Sequence, residues 1–374
     1  MNKRVSFGAL RCLLALVGLF AATAIGRSES RWKMQYFFDQ DKESLVIVDL
    51  KFSSPERGIA VGVVQQKHGI KSTALVTSDG GAHWTAVALP DEPRSLFLLN
   101  DVAGWLVGES GVWFSTEGGR NWKRILKNRR IVQVFFIDGE HGFAVGSNKT
   151  VLETKNGGLN WNELPDAKKP STSDERTAYS LVYFSNPLKG LIIGRSIPVQ
   201  RNERIPLWMD TFPESRPEVP AITIFLQTTD GGKTWSISQN TVFGSFTRFL
   251  LDASGRGLGL IEYSGYGKVP SEVLRLDARQ KSFDTVYKDP TRYITDVAIV
   301  NQGPAFAAGI EVRGKIATSP IPMKVKVLES LDMNTWTDMK VDYRATATRV
   351  HLAQSGANLW LATDTGMILK LVNE

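Results

Sequence analysis

The sequence is short of the residues that most chemistry needs. Its 374 residues include one cysteine, Cys12, set in an N-terminal apolar run. No disulfide framework, redox pair or thiolate metal site can be built from it. The four histidines (His68, His83, His141, His351) are scattered without the short spacings of metal ligands. A Gly-rich phosphate loop and a nucleophile elbow are missing as well. Long stretches of helical period are few, against 33 glycines and 10 tryptophans, which favours an all-β chain. Charge is not lopsided either: 45 Lys and Arg stand against 38 Asp and Glu. That is mildly basic, not the strong polycation of a nucleic-acid binder. Nothing here calls for a cofactor, a metal or a nucleic-acid partner.

What the sequence has is a repeat. Thr77-Ser78-Asp79-Gly80-Gly81-Ala82-His83-Trp84 returns as Ser115-Thr116-Glu117-Gly118-Gly119-Arg120-Asn121-Trp122. It returns again as Thr154-Lys155-Asn156-Gly157-Gly158-Leu159-Asn160-Trp161 and Thr228-Thr229-Asp230-Gly231-Gly232-Lys233-Thr234-Trp235. A worn copy, Ser330-Leu331-Asp332-Met333-Asn334-Thr335-Trp336, is one residue short and lacks the glycines. Gly-Gly between apolar runs supplies positive φ for a hairpin, and an Asp, Asn or hydroxyl side chain accepts from turn amides. The Trp then buries its ring between neighbouring sheets. This is turn-building chemistry. Carboxylates spread one to a repeat cannot converge on one calcium ion.

The spacing sets the architecture. Trp84, Trp122 and Trp161 are 38 and 39 residues apart, close to the four-stranded blade of a β-propeller, about 40 to 50 residues long. Between the Trp strands run Gly-flanked second strands such as Gly58-Ile59-Ala60-Val61-Gly62 and Gly104-Trp105-Leu106-Val107-Gly108. Trp161 to Trp235 is one blade plus an insertion at 195–220, with five prolines; Trp235 to Trp336 leaves room for two blades, with Phe283 in the missing aromatic slot. The C-terminus offers three strands and no Trp strand (347–352, 359–363, 367–371), while 31–38 offers a Trp strand with none before it. The expectation is seven blades, rather than six or eight, with the N-terminal strand completing the last blade and leaving no open edge. Residues 25–374 then form a single propeller. Residues 1–24, with Lys3, Arg4, an apolar run to Ile25 and Ala22-Thr23-Ala24, read as a secretory signal peptide. Arg11 before Cys12 does not suit a lipid-attachment site.

The repeat resembles the Asp-box, or BNR repeat, of sialidases, sortilin-like receptors and photosystem II assembly factors. The units from Gly58 to Trp161, and the copy at Trp235, look most similar to the propellers of the photosystem II stability and assembly factor-like family, which has relatives in bacteria. That resemblance implies a non-catalytic, exported propeller, periplasmic or extracellular (in the thylakoid lumen if the host is photosynthetic). It further implies a scaffold or assembly role, binding a membrane or envelope protein through an arginine-rich surface. The chain is expected to be a monomer on its own. The alternative is a sialidase-like glycoside hydrolase, which needs carboxylates facing a pocket with arginine partners. Glu109, Glu262 (beside Tyr263) and Glu311, each where a second strand leaves its sheet, are its candidates.

Alternation of strand direction puts the Asp-box turns on one face and the connections between blades on the other. The connecting loops at 65–72, 90–94, 109–111, 127–130, 166–176, 195–220, 262–270, 288–292 and 311–324 total +6, and the loops of the Asp-box face total −2. Lys127, Arg129 and Arg130 crowd one short connection, and Arg195, Arg201 and Arg204 lie in the neighbouring insertion. These six are the candidate partner-binding residues, facing an acidic segment. The structural residues of the Asp-boxes are Asp79, Trp84, Glu117, Trp122, Asn156, Trp161, Asp230 and Trp235.

Overall fold

In the computed structural model, residues 30–198, 220–252, 255–263, 269–277, 282–300, 303–312 and 322–373 are described. They form seven antiparallel sheets, each with its first strand innermost. Blades 1 to 6 run consecutively over 44–88, 93–126, 131–163, 177–242, 245–288 and 292–339. Blade 7 is built from Val350–Ser355, Asn358–Thr363 and Met367–Asn373, with Ser30–Phe37 as its outer strand. Trp32 faces Leu371 across that last pairing and is buried among blades 6 and 7. The expected closure by the N-terminal strand is therefore what the fold does.

The Gly-flanked second strands have a packing cause. An aromatic residue ends the first strand of several blades and lies over the glycine that opens the second. A Cβ on Gly58 would stand 2.5 Å from the Phe52 ring, and one on Gly142 would stand 2.6 Å from Phe136. The covering ring also stacks on the second strand of the preceding blade: Phe136 on Trp105 at 3.7 Å and 14°, Phe52 on Trp360 at 3.5 Å and 6°. An Asp-box Trp meets each pair edge-on, Trp161 against Phe136 and Trp84 against Phe52, both at 6.0 Å. Phe143, Phe184 and Trp235 repeat the arrangement between blades 3 and 4. The core thus sits between blades, as a series of aromatic triplets whose offset and edge contacts add to their buried area.

Near the axis, six of the seven innermost strands carry a one-residue bulge at the same level (47/49, 93/95, 131/133, 179/181, 246/248, 294/296). A bulge re-aims the side chain beside it. Here the re-aimed groups hold the next blade. Asp49 accepts from Leu96 N at 2.9 Å, Gln133 from Val182 N at 2.7 Å, and Asp296 from Leu352 N at 2.9 Å. Ser95 Oγ donates to Val132 O, and Arg248 donates through Nε to Asp296 at 2.7 Å. Asp296 pushes the Arg248 pKa upward despite burial, so the charge stays on.

Two strand assignments need correction. Phe283 does not fill the buried aromatic slot of blade 5: it is 56% exposed, and Tyr287 on the same strand packs against Trp336 instead. The strand is bulged between Thr285 and Tyr287, so Phe283, opposite Leu276, and Tyr287, opposite Val273, fall on opposite sides of the sheet. Ala347 does not open blade 7; it belongs to the short strand Thr346–Ala347, paired with Met323 in blade 6. The leader at 1–24, the greater part of the insertion at 195–220, and most of 314–324 lie outside the described residues.

Candidate protein-binding face

The Asp-box turns define one face by their own hydrogen bonds. Thr77 Oγ1 accepts from Gly81 N at 2.9 Å and donates to Asp79, whose carboxylate accepts from His83 N at 2.9 Å. Ser115, Thr154 and Thr228 repeat the hydroxyl contact to Gly119, Gly158 and Gly232. Trp122, Trp161 and Trp235 each donate Nε1 to a glycine carbonyl of their own turn. In the worn copy Asp332 accepts from Asn334 N and Thr335 N, and Met333 takes the left-handed φ of 57°. The first glycine's N–H of each full box donates to the loop between the first two strands: Gly80 to Glu56 O, Gly118 to Val102 O, Gly157 to Glu140 O, Gly231 to Leu188 O. Both sets of turns therefore share a face. The His83 amide and ring hold the Asp79 pKa down to about 2, and the Thr234 hydroxyl and amide hold that of Asp230 down to about 2. The carboxylates are spent on their own turns, and among the described residues no three His, Cys, Asp or Glu side chains gather as a metal site.

The opposite face carries the connections between blades. Lys127, Arg129 and Arg130 occupy the link from Lys123–Leu126 to Ile131–Phe136, and all three are exposed. The link is set by its backbone. Asn128 Oδ1 accepts from Arg130 N at 3.0 Å, and Arg94 Nη1 donates to Arg129 O at 2.7 Å and to Ile131 O. Gly111 lies beneath it at φ 150°, where a Cβ would run into Leu126 O. Arg94 is thus a positioning residue that the sequence did not single out, and only the fold brings it there.

Arg195 reaches the same face by a chain of pairings. Arg130 O accepts from Ser147 N, Ser147 bridges to Ala178, and Ala178 pairs with Arg195. Three steps of about 5 Å put Arg195 at most about 15 Å from Arg130. Arg201 and Arg204 lie outside the described residues.

Several other cations on this face are neutralised, whereas Lys67, Lys71, Arg176 and Lys288 stand singly or in pairs without an ion pair among the described residues. Arg94 pairs with Glu109, Arg292 with Asp338, Arg344 with Asp342 and Lys326 with Glu311. Lys149 is buried, donating to Pro170 O, Thr172 O and Asp174. The side chains of Lys127, Arg129 and Arg130 make no ion pair or hydrogen bond among the described residues. Three adjacent cations left without partners repel one another, a cost relieved when an anion arrives.

The hydrolase candidates are placed differently from expectation. Glu109 and Glu311 are tied to Arg94 and Lys326. Glu262 is buried, and its partner phenol is Tyr293 of blade 6, not the adjacent Tyr263. Arg349 of blade 7 forks onto the same carboxylate, Nη1 to Oε1 at 3.1 Å and Nη2 to Oε2. Burial first, and Glu262 second, push the Tyr293 pKa well above its ordinary value. A nucleophilic or acid–base tyrosine needs the opposite shift. The cluster ties blades 5, 6 and 7 together.

Comparison with known proteins agrees with this fold. The family model described as photosynthesis system II assembly factor YCF48 matches residues 126–199, a stretch that contains Lys127, Arg129, Arg130 and Arg195. The photosystem II assembly lipoprotein Ycf48 of Synechococcus sp. (strain CC9902) is 29% identical over 179 residues, 43% of this chain and 50% of that protein. The photosystem II stability/assembly factor HCF136, chloroplastic, of Arabidopsis thaliana is 27% identical over 131 residues, 31% of each. The chain thus matches half the length of one curated relative and about a third of the other. Among solved structures, a YCF48 bound to a D1 peptide superposes with a TM-score of 0.57 at 16% identity, over 90% of this chain and 99% of that one. YCF48 from Cyanidioschyzon merolae gives 0.54 at 19%, over 91% and 98%. At such identities the superpositions establish the propeller fold. The chain is an Asp-box β-propeller similar to these assembly factors.

Proposed function

We propose that this chain is a non-catalytic, exported propeller of assembly-factor or scaffold type, which holds an acidic segment of a membrane or envelope protein against the face opposite its Asp-boxes. The observation that carries the reading is the turn of Lys127, Arg129 and Arg130: preorganised by Arg94 and Asn128, exposed, and without internal counterions. Arginine forks give bidentate contacts to carboxylates, and a field of one sign raises the association rate. The similarity to assembly factors, one of them solved with a peptide of another protein, supports a protein partner. An exported location fits the leader and the relatives' descriptions as a lipoprotein and a chloroplastic factor. The hydrolase alternative finds a carboxylate, a phenol and a guanidinium together, but both Glu262 oxygens are engaged by Arg349 and Tyr293. The test is capture from detergent-solubilised envelope membranes, with partners identified by mass spectrometry, using the wild type and Arg129→Glu/Arg130→Glu in parallel. The reading predicts membrane-protein partners depleted by the double change. Partners recovered equally by both proteins would overturn it.

A further inference from the structure

The axial channel contains a feature that the basic face does not use. Towards the Asp-box end, the innermost strands of all seven blades line a cavity of 590 Å³, within the range of small-molecule sites, about 300 to 1,000 Å³. Its wall is two-sided. Blades 2 to 5 contribute a continuous arc of half-buried rings, Phe97, Phe135, Tyr183 and Phe249, with successive centroids 4.9, 5.9 and 5.9 Å apart. The Tyr183 hydroxyl is already engaged, donating to Leu251 O at 2.7 Å and accepting from Leu251 N at 3.3 Å. The arc therefore offers carbon to the channel. Blades 1 and 7 contribute Lys51 and Gln354 to the same cavity.

The charges at this level are unequal in what they have left to give. Arg248 spends three of its five N–H groups on Asp296 and Thr247 O, and the Asp296 carboxylate beside it lines the same cavity and repels an acid group. Asp49 is buried and shares its oxygens among Leu50 N, Leu96 N and Lys51. Lys51 spends one proton on Asp49 and a long contact of 3.4 Å on Leu50 O, and its side chain is 40% exposed. An ammonium has three donors, so one remains for the channel. Aromatic surface left wet is unfavourable, and a flat apolar body laid on the arc would displace that water.

We propose that this half of the channel binds a small aromatic anion: a flat apolar ring system carrying one carboxylate or sulfonate, rings on the Phe97–Phe249 arc and acid group on Lys51. The site uses no residue of the basic face, so it stands or falls apart from the proposed partner function. The test is fluorescence titration of the mature chain with 1-anilinonaphthalene-8-sulfonate, in native buffer with an unchanged melting curve. One saturable site is expected. Lys51→Gln should weaken it about tenfold, the loss of one charge-assisted contact. Gln354 is exposed at the bore, so Gln354→Trp should fill the channel without disturbing the core and abolish binding. Arg129→Glu/Arg130→Glu should leave binding unchanged. Absence of a saturable site, binding that survives Gln354→Trp, or binding indifferent to Lys51→Gln would each overturn the proposal.

Discussion

Gly232 has no room for a side chain. It sits at φ 91°, and a Cβ there would lie 2.7 Å from the Phe143 ring of the preceding blade. Gly232→Ala should cost about 1–2 kcal/mol for the left-handed backbone alone, with overpacking added. Trp235 is 8% exposed, so Trp235→Ala should cost about 3–5 kcal/mol. Asp230, on the solvent side of the same turn, should cost less than either; chemical denaturation of the three variants checks the order. An Asp230→Ala change worse than Trp235→Ala would give Asp230 a task beyond the turn. His351 makes a second residue-scale prediction. It is buried on the innermost strand of blade 7, facing Asp49 and Lys51 of blade 1, Arg248 of blade 5 and Asp296 of blade 6. Burial lowers its pKa from 6.5 to about 4, with the two carboxylates opposing. The unfolded chain then takes up the proton first. Stability is unaffected above about pH 6.5 and falls as the pH drops towards 4, by on the order of 3 kcal/mol for this group. Urea melts of the wild type and His351→Gln from pH 7 to pH 4 measure it: the variant should lose much of that slope.

The strand Ser30–Phe37 is the clasp of the ring. It is far in sequence from its partner Met367–Asn373, and its Trp32 is buried between blades 6 and 7. Deleting residues 31–38 should lower the melting temperature sharply, and Trp32→Ala alone should cost about 3–5 kcal/mol. An unchanged melting temperature in the truncated chain would contradict closure by this strand. This element was legible in the sequence because a Trp strand without predecessors and a final blade without a Trp strand complete each other. The Asp-box turns and the Gly-flanked strands were legible for a similar reason: their determinants are local in sequence. The bulge-borne Asp49, Gln133 and Asp296 were not, because each bonds a backbone amide about 50 residues away, in the next blade. The same holds for Glu262, whose partners Tyr293 and Arg349 come from two other blades. Phe283 misled because an aromatic residue at the right interval carries no mark of which side has a neighbour.

On the scale of the whole ring, the two faces differ in how their charges are used. Asp79 and Asp230 on one face are absorbed by their own turns. On the other, many cations have a carboxylate, and Lys127, Arg129 and Arg130 are three unpaired ones among the described residues, crowded into a single turn. Under the proposed function, this turn captures an acidic segment of a partner. The measurement is the association rate of residues 25–374 with a captured partner, or with an acidic peptide from it, as a function of salt. The wild type should associate more slowly as salt rises, because exposed charges are screened over about 10 Å at 0.1 M. Arg129→Glu/Arg130→Glu should bind more weakly, with a flattened salt dependence and a melting temperature nearly that of the wild type. Equal affinity and equal salt dependence in the two proteins would contradict the account.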